Sequence, residues 1–60
     1  MRWSMGDKLR LKEDYKQILT KGEICEVLYF SESSEDVIYA VQFEDGFDIW
    51  LPHRILEKIE

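Results

Sequence analysis

The fold is decided by the stretch Leu19-Thr20-Lys21-Gly22-Glu23-Ile24-Cys25-Glu26-Val27-Leu28. It places a turn glycine directly before a run of β-branched and apolar residues, which predicts a turn that opens into a strand. A second stretch, Ile49-Trp50-Leu51-Pro52-His53-Arg54-Ile55-Leu56, lies near the C-terminus. Its proline ends one strand and suits the first position of a short 3₁₀ turn. Together the two stretches predict one small five-stranded barrel.

Period-two alternation predicts the strands, because alternate residues of a half-buried strand face the core. The strands are expected at 8–12, 23–30, 37–43, 47–51 and 56–59, with a 3₁₀ turn within 52–56. Residues 1–6 form a lead-in segment, and Met5-Gly6-Asp7 predicts a turn into the first strand. Asp45-Gly46 predicts a hairpin between the third and fourth strands.

Two segments leave alternatives open. Residues 13–22 favour a polar loop, although a helix over 12–19 is the alternative, because its residues include good helix formers. Val27 to Phe30 are all apolar, which indicates either a strand covered on both faces or a β-bulge. The segment 31–36 has no apolar residue and predicts a mobile loop.

The inward-facing positions give the predicted core. They are Leu9, Leu11, Leu19, Ile24, Val27, Leu28, Tyr39, Val41, Phe43, Phe47, Ile49, Leu51 and Leu56. A chain of 60 residues buries only about 60% of its unfolded surface. A cleft of the roughly 300 Å³ that ligand sites usually need is therefore disfavoured. We expect one domain over 1–60, no enzymatic activity, no catalytic residue and no cofactor.

The composition indicates a cellular compartment and disfavours some classes of partner. Cys25 is the single cysteine, so no internal disulfide can form, which predicts a reducing, cytoplasmic location. No apolar run approaches the roughly 18 residues of a membrane span, and no signal peptide is recognisable. The net charge of −5 disfavours nucleic acid as a partner, because its recognition depends on lysine and arginine. Residues 22–53 contain neither of these two residues.

The order of these elements resembles the SH3 fold. The likeness is carried by the Lys21-Gly22-Glu23 turn, similar to the diverging turn of SH3 domains, and by the Trp50-Leu51-Pro52 ending. The two stretches cover under a third of the chain. Small bacterial and phage proteins with SH3-like barrels show similar Gly-Asp-Lys starts, Lys-Gly-Glu turns and Trp-Leu-Pro endings. The resemblance implies an all-β SH3-like barrel of bacterial or phage origin that binds a protein partner.

The chain departs from SH3 domains where they bind proline-rich ligands. Of the Ala-Leu-Tyr-Asp-Tyr motif of SH3 domains, this chain keeps only the final Asp-Tyr, within Leu11-Lys12-Glu13-Asp14-Tyr15. Val37-Ile38-Tyr39 stands where SH3 domains carry paired tryptophans, and Ile55 replaces the last groove tyrosine. Such ligands dock between aromatic side chains. The resemblance implies a partial groove of Tyr15, Trp50 and Pro52 and disfavours proline peptides as its ligand.

An aromatic patch is the first candidate binding surface. Alternation points Trp50 outward, and exposed tryptophan is typical of interfaces. If Trp3 and Tyr15 converge on it, they form an apolar patch on a charged surface. The alternative is that these residues pack structurally under the first loop. The predicted partner-binding residues of this patch are Trp3, Tyr15, Trp50 and Pro52.

Acidic loops are the second candidate surface. They carry Glu32, Glu35, Asp36, Glu44, Asp45 and Asp48. A surface of this kind binds a basic partner or mimics nucleic-acid phosphate. The alternative is a solvated edge that keeps the sheet from pairing with other chains. Their spacing does not match a calcium-binding EF-hand loop, so no metal is expected.

The remaining polar residues have simpler interpretations. Lys8, Arg10 and Lys12 line one face of the first strand. They either track a phosphate backbone or, as we favour, pair across strands with Glu23, Glu26 or Glu57. His53 has no neighbouring group that suggests catalysis, which favours a surface or capping role. Cys25 is expected to be a small buried apolar residue.

Three functions follow in order of preference. The first is a non-catalytic protein-interaction module that binds through the aromatic patch. The second is an acidic inhibitor or nucleic-acid mimic that binds a basic partner through the acidic loops. The third is a small nucleic-acid-binding barrel. A homodimer closed by the exposed aromatic residues remains open.

Overall fold

The computed structural model describes residues 2–59. Its elements are β1 (Lys8–Leu11), β2 (Ile24–Glu32), β3 (Val37–Phe43), β4 (Asp48–Pro52), a 3₁₀ turn (His53–Ile55) and β5 (Leu56–Lys58). The predicted all-β fold class, with five strands and one 3₁₀ turn near the C-terminus, is confirmed. Met1 and Glu60, the two ends of the predicted domain, lie outside the described residues.

All five strands form one antiparallel sheet, in the order β4-β3-β2-β1-β5. Leu9, Tyr39 and Leu51, on three different strands, are completely buried. Within residues 2–59 there is no α-helix to cover them. The sheet therefore curls around its own inner face, and the side chains of that face form the core.

The core agrees with the alternation at most positions, but three predicted members, Ile24, Leu28 and Phe47, do not belong to it. Leu28 is only half-buried, because it has no partner opposite it on β3. Ile24 and Phe47 are 43% and 41% exposed. Ile24 is paired with Arg10, one position away from the inward-facing Cys25, so alternation turns Ile24 outward. Phe47 precedes β4, at the end of the sheet, where the hairpin turn and not the core adjoins it. Ile55 is buried, although the sequence did not identify it as core.

A β-bulge interrupts the apolar run of β2. Val27 is opposite Val41, but Tyr29 is opposite Ala40, so Leu28 is an extra residue on β2. The bulge shifts the alternation by one residue, because two residues of one strand then oppose one of the next. Tyr29 consequently faces outward and is 65% exposed, while Phe30 packs against the core. Of the two alternatives for this run, the bulge is confirmed.

The loop between β1 and β2 is tight and contains no helix. The Tyr15 N–H donates to the Leu19 carbonyl over 3.0 Å, and the Leu19 N–H donates back over 3.2 Å. Gly22 has a φ of 96°, a conformation that favours glycine. The Thr20 N–H donates to the Glu23 carboxylate over 2.7 Å. These bonds hold the predicted turn before β2.

No helix in the described part of the chain has the length and apolar character needed to cross a membrane.

Cys25 makes stability depend on alkaline pH. Desolvation, the largest cause, raises the pKa of its buried thiol from 9.0 to about 11, the charge of Glu23 adds to the rise and that of Lys8 opposes it. The unfolded chain loses this proton near pH 9 and the folded chain does not. The free energy of unfolding should therefore fall by about 1.4 kcal/mol per pH unit between the two pKa values.

Urea unfolding of the wild type and Cys25→Ala over that pH range measures this loss. The alanine variant is the control, because it has no thiol but keeps all other titrating groups. The wild-type stability should fall more steeply with pH than that of the variant. If the free energy of unfolding fell equally with pH in both proteins, the thiol would not contribute to the pH dependence of stability.

Candidate functional site

The outer face of the sheet is divided into a charged half and an apolar half. On the charged half, the Lys8 Nζ lies 2.9 Å from a Glu26 carboxylate oxygen, and the Arg10 Nε lies 2.8 Å from one of Glu57. These contacts confirm the predicted cross-strand pairs for two of the three basic residues. Lys12 follows the end of β1. The basic charge of this half is thus largely compensated by acidic partners.

The apolar half spans β2, β3 and β4. Register places Ala40 between Tyr29 on β2 and Trp50 on β4, so these three residues form one row across the sheet. In the neighbouring row, Ile38 is opposite Pro52. Tyr29 and Trp50 are 65% and 50% exposed. We call these five residues, Tyr29, Ile38, Ala40, Trp50 and Pro52, the outer apolar patch.

Ala40 shapes the centre of this patch. It is only 8% exposed although it lies on the outer face, because larger side chains flank it on both neighbouring strands. Adjacent strands are about 4.8 Å apart, so Tyr29 and Trp50 emerge from the sheet roughly 10 Å from each other. Ala40 is therefore nearly covered, and the exposed apolar surface of this row belongs to Tyr29 and Trp50.

Trp3 lies in a different place, at the edge of the core. Its ring centroid is 5.1 Å from that of Tyr39 and 4.0 Å from that of His53, the latter in an edge-on arrangement. Its backbone N–H donates to the Tyr39 hydroxyl over 3.1 Å. Trp3 therefore gives the buried Tyr39 its polar partner and covers the core with its ring. His53 packs against the Trp3 and Tyr39 rings, whereas the sequence predicted a surface or capping role.

Tyr15 also packs against the core, and the Lys16 Nζ lies 5.3 Å from its ring centroid. The four residues of the predicted aromatic patch are therefore divided. Trp50 and Pro52 belong to the outer apolar patch, whereas Trp3 and Tyr15 are half-buried against the core. Of the two interpretations of Trp3 and Tyr15, structural packing describes their contacts.

The predicted acidic residues lie at opposite ends of β3. Glu32, Glu35 and Asp36 precede this strand, and Glu44, Asp45 and Asp48 follow it. Two of them were predicted in the acidic loops but lie on strands, since Glu32 ends β2 and Asp48 begins β4. Seven residues of strand separate the two groups, which corresponds to roughly 20 Å. The two acidic groups do not form one continuous surface, because the length of β3 separates them.

Several of these acids have local partners. Glu32 pairs with the Arg2 guanidinium over 3.3 Å. The carboxylates of Asp36 and Asp45 accept the backbone N–H groups of Val37 and Phe47. Within residues 2–59, no lysine or arginine nitrogen lies within 4.0 Å of the carboxylates of Glu35, Glu44 or Asp48. Those three charges are available to a partner.

A groove of about 400 Å³ lies beside the hairpin, larger than the chain length led us to expect, but it is open to solvent and is not an enclosed cleft. It is lined by Gly22, Glu23, Ile24, Phe43, Glu44 and Asp45. In the part of the chain that is described, no group of three or more histidine, cysteine, aspartate or glutamate side chains is arranged to hold a metal ion. The groove offers carboxylates and apolar surface, and its lining contains no cysteine or histidine.

Sequence reasoning missed three members of the outer apolar patch. Ile38 and Ala40 were available from the alternation of β3, which places them opposite the core face. Tyr29 was not, because its direction depends on the position of the bulge at Leu28. The apolar run from Val27 to Phe30 indicated a bulge without fixing which residue it inserts.

The comparisons with known proteins give no relative. No protein-family model, curated protein or solved structure matches the chain. The site is therefore defined by its geometry, and the exposed aromatic row across three strands is its main feature.

The two tryptophans should differ in their effect on stability. Trp3→Ala should lower the free energy of unfolding by about 2 kcal/mol, because it removes a ring that covers the core. The backbone N–H that donates to the Tyr39 hydroxyl is kept in this variant. Trp50→Ala should cost less than about 1 kcal/mol, because Trp50 is half exposed. Urea unfolding of both variants measures the difference. Equal losses would show that Trp50 is a structural residue like Trp3.

Proposed function

We propose that this chain is a non-catalytic protein-interaction module whose outer apolar patch binds a protein partner. The single observation that carries the proposal is the exposed row of Tyr29, Ala40 and Trp50 across three hydrogen-bonded strands. Contiguous exposed apolar surface of this kind is uncommon on a monomer and is typical of interaction sites. Tyrosine and tryptophan are also enriched at binding hot spots.

The energetics favour binding at this patch. Tyr29 and Trp50 project from paired strands, so their backbones are already ordered and little conformational entropy is lost on binding. Burying the exposed part of each ring would contribute about 2–3 kcal/mol at the usual coefficient for apolar surface. Two such anchors in one row across the sheet can both contact the same apolar segment of a partner.

The charges around the patch favour a basic partner. Asp48 lies on β4, one outer-face position from Trp50, and has no basic residue within 4.0 Å among those described. Residues 22–53, which include the whole patch, contain no lysine or arginine. Complementary charge raises association rates and excludes acidic competitors.

We also propose that the chain is an SH3-like barrel that acts in a bacterial or phage-infected cytoplasm. The strand order and the 3₁₀ turn after Pro52 support the fold relationship. The free thiol of Cys25 supports a reducing compartment. Tyr15 packs against the core and Ile55 is buried, so neither completes an aromatic groove for proline peptides.

An acidic inhibitor or nucleic-acid mimic is the second candidate. The observation in its favour is that Glu35, Glu44 and Asp48 have no basic neighbour within 4.0 Å in residues 2–59. Nucleic-acid binding has less support, because Lys8 and Arg10 already pair with Glu26 and Glu57. A phosphate backbone would have to displace those carboxylates.

Mutation of the aromatic row tests the first proposal. The immobilised chain should capture a partner from host lysate, and Trp50→Ala and Tyr29→Ala should each weaken binding of the purified partner by at least about tenfold. Ile18→Ala is the matched control, because Ile18 is 57% exposed but lies outside the patch. Its affinity should stay within about twofold of the wild type. An unchanged affinity in both aromatic variants would refute the proposal.

Salt dependence separates the two candidates. An acidic mimic would lose most of its affinity between low and physiological salt, and again when Glu35, Asp36 and Asp45 are changed to lysine. Binding through the outer apolar patch should change by less than about tenfold under either treatment, because burial of apolar surface is not screened and the one acidic residue beside the patch, Asp48, is left unchanged. Calorimetric titration of the purified partner into the wild type at two salt concentrations, and into the lysine variant, gives the change in affinity for each treatment.

A further inference from the structure

The edge of β4 borders the outer apolar patch. β4 is the terminal strand of the sheet and pairs with β3 on one side only. Within residues 2–59, no other strand pairs with its far side. An edge strand of this kind presents unpaired backbone N–H and C=O groups, which can accept a further strand.

The hydrogen-bond phase shows which groups face that edge. The Phe43 N–H donates to the Phe47 carbonyl over 2.9 Å, so this pair is of the hydrogen-bonded type. Bonded pairs recur at every second residue of an antiparallel ladder. Ile49 and Leu51 therefore direct their backbone groups toward β3. Asp48 and Trp50, between them, direct their N–H and C=O groups away from it.

Pro52 agrees with this phase. It is opposite Ile38, in the same non-bonded class as Asp48 and Trp50, and proline has no N–H to give to β3. The His53–Ile55 turn begins directly after it. The open edge is therefore short, and its donors are the N–H groups of Asp48 and Trp50.

One residue links this edge to the patch. Trp50 has its side chain in the exposed aromatic row and its backbone groups at the open edge. A strand added there would place one of its own side chains next to the Trp50 ring. The residue two positions along would lie next to the Asp48 carboxylate, because alternate residues share a face.

We propose that the partner supplies an extended basic segment that pairs with the β4 edge as a sixth strand. In the antiparallel orientation its sequence is apolar residue, any residue, lysine or arginine. The apolar residue is opposite Trp50, and the basic residue is opposite Asp48. The proposal rests on the proposed function and specifies the binding mode and the class of partner.

A synthetic peptide provides the test. The probe is acetyl-Thr-Thr-Val-Thr-Lys-Thr-Thr-amide, titrated into the isotopically labelled chain and followed by NMR. The Trp50 and Asp48 amide signals should shift saturably, with a Kd of about 1 mM or tighter, and both amides should gain protection from hydrogen exchange. Replacing the peptide lysine by glutamate should weaken binding at least about fivefold.

Backbone methylation of the peptide isolates strand pairing. N-methylation of its valine removes the N–H that donates to the Trp50 carbonyl and should weaken binding at least about tenfold. N-methylation of the threonine between valine and lysine is the matched control, because that N–H points away from β4. The affinity of the control peptide should stay within about threefold of the parent.

The outcomes separate this inference from the proposed function. Equal binding of the two methylated peptides, or no saturable shift at Trp50 and Asp48 up to about 10 mM peptide, would overturn strand addition. Capture of the natural partner that depends on Trp50 and Tyr29 would survive that result. Sedimentation must show a monomer without peptide. A dimer with the same two amides protected would assign the edge to a second copy and overturn the proposal.

Discussion

The structure depends on a single sheet that covers its own core. Residues 2–59 contain no second layer, so the inner face of the five strands must curl until its side chains meet. Leu9, Tyr39 and Leu51, on three different strands, are completely buried. In a domain so small, the inner face is fully used for stability. The outer face and the strand edges are the surfaces left for function.

A β-bulge and the N-terminal segment determine which aromatic side chains face the core. The bulge at Leu28 shifts the alternation of β2, so that Phe30 joins the core side and Tyr29 joins the outer face. The N-terminal segment completes the core, because Trp3 packs on Tyr39 and bonds to its hydroxyl. The bulge brings Tyr29 into the aromatic row on the outer face. Trp3, in contrast, covers the edge of the core. The two tryptophans thus have different roles in the same small fold.

Charged and apolar side chains occupy different halves of the outer face of the sheet. The basic residues of β1 meet glutamates on both neighbouring strands and form compensated pairs. Such exposed pairs add little stability, but they compensate the charges of Lys8 and Arg10 on that half of the outer face. The half that spans β2, β3 and β4 has apolar side chains, and Asp48 at its border has no basic residue within 4.0 Å among residues 2–59. This asymmetry is the basis of the basic partner that we propose for the outer apolar patch.

The sequence by itself determined the strands, the turns and most of the core, because alternation, glycine and proline act over a few neighbouring residues. It determined that Trp50 faces outward and that Lys8 and Arg10 pair across strands. Only the tertiary structure decided the position of the bulge, the outward direction of Ile24 and the separation of the acidic loops. It alone joined Tyr29, Ala40 and Trp50 in one row and moved Trp3 to the core. These features depend on register between strands distant in the chain, and no local pattern encodes which residues register places side by side.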